Sequence, residues 1–148
     1  MPQTLSFNLI HIIFSTKNRI AFINDDILPA LHAYLAGTVR GLDCDCFRVG
    51  GIADHVHIAM RLATTKTAAK VVSEIKTSSS AWMKQQGIRT FAWQRGYGLF
   101  SVSPADMDAV VRYIDQQNIH HRKRSFQDEM RAFFEKYHIE FDDRYVWD

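Results

Sequence analysis

Apolar positions along the chain alternate between short runs suited to strands and longer stretches that recur at helical spacing. Phe7 to Ser15 is a continuous run rich in Ile and Phe and predicts a buried strand. Asn24-Asp25-Asp26 signals a helix start. Ile27, Leu31, Tyr34, Leu35, Thr38 and Leu42 then follow at helical spacing, with Gly41 near the end. Cys44 to Gly50 predicts a second strand stopped by Gly50-Gly51, and Asp54 to Leu62 a third. Residues 67–86 predict a second helix with Val72, Ile75, Ser79 and Trp82 on one stripe. Phe91 to Val102 reads as a glycine-interrupted strand. Ser103-Pro104-Ala105-Asp106 opens a third helix: Ser103 can cap, Pro104 suits the first helical position, and Asp106 completes an S-x-x-D pattern. That helix is expected to reach about His120. A last one carries Phe126, Met130, Phe133 and Tyr137 on one side. The order β-α-β-β-α-β-α-α predicts an α+β fold, an antiparallel sheet with helices packed against it.

A chain of 148 residues suits one compact domain, and no repeat, linker or low-complexity stretch divides it. The whole of 1–148 is therefore expected to form a single domain. The end, from Asp142 to Trp147, carries too many aromatics for a free tail, so 125–148 is expected to dock on the body or on a second subunit. No apolar run is long enough to span a bilayer, and the N-terminus lacks the pattern of a secretory signal. Cys44 and Cys46 stand too close along one strand to pair with each other and lack zinc-site spacing; they read as small buried thiols. A reducing, cytoplasmic setting with no membrane attachment is the expectation. The net charge of +2 says little, but its distribution says more. Residues 1–124 hold 15 Lys/Arg against 9 Asp/Glu, and residues 125–148 hold 3 against 7. A basic body with an acidic end fits a polyanionic partner on one surface, although solvated faces produce the same pattern.

Four segments carry candidate chemistry. In His55-Val56-His57-Ile58-Ala59-Met60-Arg61-Leu62 the apolar residues point one way, and His55, His57 and Arg61 the other. Two imidazoles two residues apart on one strand face can share a metal ion, though an H-x-H triplet alone is weak. Asp54 either orients an imidazole or turns the chain. In Tyr113-Ile114-Asp115-Gln116-Gln117, Tyr113 and Gln117 stand one helical turn apart. A phenol is a poor nucleophile at its ordinary pKa and needs a base or a metal-polarised target. A packed aromatic is the plainer reading of Tyr113 taken alone. His120-His121-Arg122-Lys123-Arg124 follows directly and reads as a phosphate-binding patch or a solvated loop. Trp93-Gln94-Arg95-Gly96-Tyr97-Gly98 offers aromatics for unpaired bases, a cation and two glycines that admit close backbone approach. Lys76 is a further candidate phosphate contact. His11 shares its strand face with Phe7, Leu9 and Ile13 and is expected in the core or near the site, not as a ligand.

Taken in order, these segments resemble the single-tyrosine HUH transposases of bacterial insertion sequences, the IS200-like family with its REP-associated relatives. The resemblance runs from His11-Ile12-Ile13-Phe14-Ser15-Thr16-Lys17-Asn18-Arg19 through Asp54-His55-Val56-His57 and Ile75-Lys76-Thr77-Ser78-Ser79. It continues through the stretch from Trp93 to Ser103 and ends in Tyr113-Ile114-Asp115-Gln116-Gln117. It implies a ferredoxin-like sheet with His55 and His57 on a central strand. It implies Tyr113 as nucleophile, and His55, His57 and Gln117 as ligands of Mg²⁺ or Mn²⁺. Lys76, Arg95, Arg122, Lys123 and Arg124 become candidate DNA contacts. The implied activity is cleavage and rejoining of single-stranded DNA at hairpin-marked ends through a 5′-phosphotyrosine, typically by a homodimer. The alternatives are a ferredoxin-like nucleic-acid-binding module without catalysis, or a domesticated, inactive copy.

Overall fold

A computed structural model of the chain describes residues 2–120 and 124–148. The apolar runs become four strands, β1 (Asn8–Ser15), β2 (Asp45–Ile52), β3 (His55–Leu62) and β4 (Gly98–Ser101), in the order β2-β3-β1-β4. Every neighbouring pair is antiparallel. Helix α1 (Leu28–Gly41) links β1 to β2 past β3, and α2 (Ala68–Gln85) links β3 to β4 past β1. Two interleaved β-α-β units of this kind make the sheet ferredoxin-like. Local chemistry starts the helices as the pattern implies. The Asn24 side chain accepts from the Ile27 amide ahead of α1, and Thr67 accepts from the Lys70 amide at the start of α2.

Period two divides each central strand between two layers. Ile10, Ile12 and Phe14 of β1, with Val56, Ile58, Met60 and Leu62 of β3, bury against Leu31, Leu35 and Val39 of α1 and Val71, Val72, Ile75 and Met83 of α2. The opposite face is covered by α3 (Met107–Asp115), α4 (Gln117–His120) and α5 (Phe126–Lys136). Leu9 and Ala59 pack there with Met107 and Ile114 of α3, and Ile13 and Phe100 with Phe126, Met130 and Phe134 of α5. The histidine pair is thus sealed between sheet and helices, with both side chains fully buried.

Four local details depart from the expected boundaries. Strand β2 continues through Gly50-Gly51 to Ile52. Gly51 has φ 143°, and a Cβ on it would lie 2.2 Å from the His55 carbonyl oxygen, so only glycine permits this tight return into β3. The fourth strand shortens to Gly98–Ser101: the chain before it passes along α2, with Trp93 still bridged to Thr16 at the end of β1. There the Trp93 indole N–H donates to the buried Ser79 hydroxyl. Pro104–Asp106 forms a 3₁₀ turn before α3, with the Ser103 hydroxyl on the Asp106 carboxylate and not on a backbone amide. The third helix breaks at Gln116 (φ −104°, ψ 19°), and α4 begins at the next residue.

At the C-terminal end, the Ser125 side chain caps α5 by accepting from the Asp128 amide. Val146 and Trp147 fold back onto the apolar face of α5, and the Gly96 amide donates to the Asp148 carbonyl at 2.8 Å. Both cysteines are free. Among the described residues no helix is long and apolar enough to cross a membrane.

Candidate active site

The site grows out of three pieces of local geometry. Strand β3 sets His55 and His57 on one face, opposite Ser15 and Ile13 of β1. Helix α3 lies directly on β2, because Gly50 has no side chain: a Cβ there would sit 2.5 Å from Ile114 Cγ2 and 2.9 Å from the Ile114 carbonyl oxygen. That close approach delivers Tyr113, and the break at Gln116 swings Gln117 inward, where it is buried. Helix α5 then turns Glu129 toward the same point, fully buried. All these groups belong to one chain.

The polar atoms converge on Glu129. Its Oε1 lies 3.1 Å from His57 Nε2 and 3.5 Å from His55 Nε2. Its Oε2 accepts from the Tyr113 hydroxyl in a short hydrogen bond, and from the Gln117 amide at 3.2 Å. The Gln117 carbonyl oxygen lies 2.9 Å from His55 Nε2. The outer nitrogens are also engaged. His55 Nδ1 lies 2.7 Å from an Asp54 carboxylate oxygen, and His57 Nδ1 lies 2.8 Å from His11 Nε2. Burial, reinforced by the neighbouring His57, lowers the pKa of His11 to about 3, so His11 is neutral at physiological pH. It is a half of an imidazole pair that orients His57.

This donor set fits a cation. With Asp54 accepting from His55 Nδ1–H, the Nε2 lone pair of His55 faces two acceptor oxygens at close range. A positive charge between such electron-rich atoms satisfies them together. Ligand atoms of His55, His57 and Glu129 all lie within 4.8 Å of one another. Two imidazole nitrogens, an amide oxygen and a carboxylate form a mixed N/O set suited to a divalent cation.

The tyrosine is held in its neutral form. Burial raises the Tyr113 pKa, and the Glu129 charge raises it further; hydrogen bonds from Arg124 and Gln117 act in the other direction. Arg124 therefore reaches the tyrosine hydroxyl. Arg122 and Lys123 lie outside the described residues. Lys76 stands apart from the histidine pair: its ammonium donates to the carbonyls of Gln94, Arg95 and Gly96 at 2.8, 3.1 and 2.6 Å, and lies over the Phe14 ring. Burial lowers its pKa to about 8. Arg95 is exposed and shares with Lys76 a groove of about 490 Å³ between α2 and the 91–97 segment.

Glu129 is the residue that sequence reasoning missed. Its signal was present: 126, 129, 130 and 133 share one helical face, so a carboxylate stands at a core position among Phe126, Met130 and Phe133. A buried charge in such a stripe requires partners, and here the partners are the site.

Fold and site together define an α+β protein with a metal-competent centre beside a tyrosine hydroxyl. Residues 6–117 match the family described as IS200-like transposases, and the chain belongs to that family. It is thereby a transposase, and Glu129 lies beyond the matched residues. Two solved structures share the fold. A candidate transposase from Deinococcus radiodurans R1 is 19% identical, covering 79% of this chain and 95% of that one, with TM-score 0.62. A REP-associated tyrosine transposase bound to a REP hairpin is 15% identical, covering 82% and 74%, with TM-score 0.61. No curated protein matches the chain.

Proposed function

We propose that the chain cuts and rejoins single-stranded DNA at hairpin-marked ends through a covalent Tyr113–phosphate ester. Mg²⁺ or Mn²⁺ is held by His55, His57 and Gln117, with Glu129 as a further oxygen donor. The observation that carries this reading is the convergence of the tyrosine hydroxyl, the Gln117 amide and both imidazole Nε2 atoms on one buried carboxylate. Membership of a transposase family supports the reaction class, and a neighbour that binds a REP hairpin supports the partner. The protein acts as a homodimer in a reducing, cytoplasmic setting on this reading.

Bound by these residues, such a cation would supply Lewis acidity to the scissile phosphate and its leaving oxygen. The protein does the rest. Asp54 and His11 fix the two imidazoles in the orientation that turns their Nε2 atoms inward. Glu129 takes the phenol proton as Tyr113 Oη bonds to phosphorus. The P–O3′ bond breaks and the departing oxygen takes a proton from solvent, leaving a 5′-phosphotyrosine and a strand with a free 3′-hydroxyl. A second 3′-hydroxyl, giving its proton to solvent, then attacks the same phosphorus; the Tyr113–phosphorus bond breaks as a new phosphodiester forms, and Glu129 returns its proton to the phenolate. The ester conserves the bond energy, so no nucleotide cofactor is required. Arg124, which already reaches Tyr113, neutralises charge on the incoming phosphate.

The test is a cleavage assay on labelled single-stranded DNA carrying the element's end hairpin, with wild type and Tyr113→Phe, in Mg²⁺ and in EDTA. A covalent adduct formed only by wild type with metal supports the proposal. Equal binding by both proteins with no adduct refutes it, and leaves a nucleic-acid-binding module or an inactive copy.

A further inference from the structure

A second cavity adjoins the nucleophile. It encloses about 420 Å³, and its lining includes Tyr113 and His11 but neither His55, His57 nor Glu129. That volume falls in the range of sites for small organic ligands, roughly 300–1,000 Å³. Its inner wall is aromatic. Phe133 stands edge-on to His11 at 5.6 Å and to Tyr113 at 5.9 Å between ring centres, and is backed by Phe100 at 5.0 Å. Tyr137 continues that wall, packed on Phe100 at 4.8 Å. Phe133 and Tyr137 are each only half-buried, so aromatic surface remains open to the cavity. The rim carries two cations, Arg124 and Lys136, and one carboxylate, Asp106. Arg124 and Lys136 are both exposed, and neither forms an ion pair among the described residues. The groove on the α2 side also carries aromatic rings and cations, but its Lys76 ammonium is already bound to three carbonyls.

We infer that this cavity receives one nucleotide of single-stranded DNA, the one adjoining the scissile phosphate, with its unpaired base against Phe133 and Tyr137. Arg124 and Lys136 engage the phosphates on either side. The inference rests on Tyr113 as the nucleophile, because the phosphate it attacks fixes which nucleotide reaches the cavity. Three features select this occupant. Aromatic faces stack on any base. Two cations that form no ion pair among the described residues suit a phosphodiester chain. The cavity opens on the tyrosine, where a neighbouring nucleotide must lie whenever its phosphate is in reach. Any preference for the base at that position is then set by protein and not by base pairing.

The experiment is an amide NMR titration of the full chain in EDTA, using dAMP, dCMP, dGMP, dTMP and deoxyribose 5-phosphate as probes. The expected result is saturable shifts confined to amides around the cavity, Ala109, Val110, Phe133 and Lys136 among them, from at least one nucleotide. Deoxyribose 5-phosphate should bind about tenfold more weakly, since it lacks the stacking base. Ala109→Trp, from an exposed position of α3 that lines the cavity, should abolish the shifts while the remaining spectrum is unchanged. Ala132→Trp fills the same space from α5 and serves if the first variant does not fold. Equal affinity for the sugar phosphate, shifts scattered over the surface, or unaltered binding by a folded filling variant would overturn the inference. No cleavage is involved, so its failure leaves the adduct assay standing, and failure of that assay leaves the nucleotide titration interpretable.

Discussion

Gly50→Ala tests whether the tyrosine is positioned by the contact between α3 and β2. The added methyl would stand 2.5 Å from Ile114 Cγ2 and 2.9 Å from the Ile114 carbonyl oxygen. Carbon atoms in contact prefer about 3.5–4.0 Å, so helix and strand must separate by roughly 0.5–1 Å. A rotamer change in Ile114 relieves the first contact only; the second is with backbone. Overpacking of this kind costs about 1–3 kcal/mol. For a chain of this size that lowers Tm by roughly 2–4 °C per kcal/mol. Tyr113 adjoins Ile114, and Gln117 lies three residues beyond, so both move with the helix. A displacement of about 1 Å in a reacting group costs up to roughly 100-fold in rate. The assay pairs thermal melting with single-turnover adduct formation at saturating Mn²⁺. The expected outcome is a folded protein with a lower Tm and a rate reduced about 10- to 100-fold. In an Ile114→Ala background the same glycine substitution should cost less stability, because Cγ2 is gone, while the rate stays low. A wild-type rate in folded Gly50→Ala would refute the reasoning, since the helix would then not be held in register by this contact.

Three further outcomes follow from the site and the core. Mn²⁺ should stabilise wild type by an amount that grows with concentration, about 2.7 kcal/mol at one hundred times the Kd, and so raise its Tm. His57→Ala should abolish this rise and Gln117→Ala should diminish it; an equal rise in folded His57→Ala would remove the histidine pair from the metal site. Glu129→Gln keeps the shape and loses the proton acceptor, so adduct formation should slow by about 100-fold with the fold intact. An unchanged rate would dismiss the carboxylate as base. His32 on α1 is held at about 4 by burial, and its Nε2 has no hydrogen-bond partner. Its folded pKa lies below the ordinary 6.5, so its contribution is full above pH 6.5 and is lost as pH falls toward 4. Wild type should therefore lose about 2 kcal/mol between pH 7.5 and 5 that His32→Leu does not lose. Urea melts at the two pH values measure this, and parallel losses in both proteins would show that His32 titrates normally.

Period alone determined a good part of this protein. Alternation in β3 sent Val56, Ile58, Met60 and Leu62 into one layer and His55 and His57 into the other, because successive side chains of a strand must point opposite ways. The element order determined an α+β fold, and the motifs in their sequence order indicated the family. The one-turn spacing from Tyr113 to Gln117 brought both toward a common site, although through a broken helix and not a continuous one.

Tertiary structure decided the rest. Glu129 entered the site from α5, a helix whose placement depends on Phe126, Met130 and Phe134 finding Ile13 and Phe100 across the sheet. Seclusion of the histidine pair required three helices to close over one sheet face. The glycine at position 50 became a positioning element only because Ile114 lies against it. Lys76 carried the same charge in either view, but the passage of residues 94–96 beside α2 gave its protons to three carbonyls. The physical reason is one of range. Side-chain periodicity reports the face a residue takes within its own element. Which other element covers that face is set by packing between residues far apart in sequence, and no local spacing encodes it.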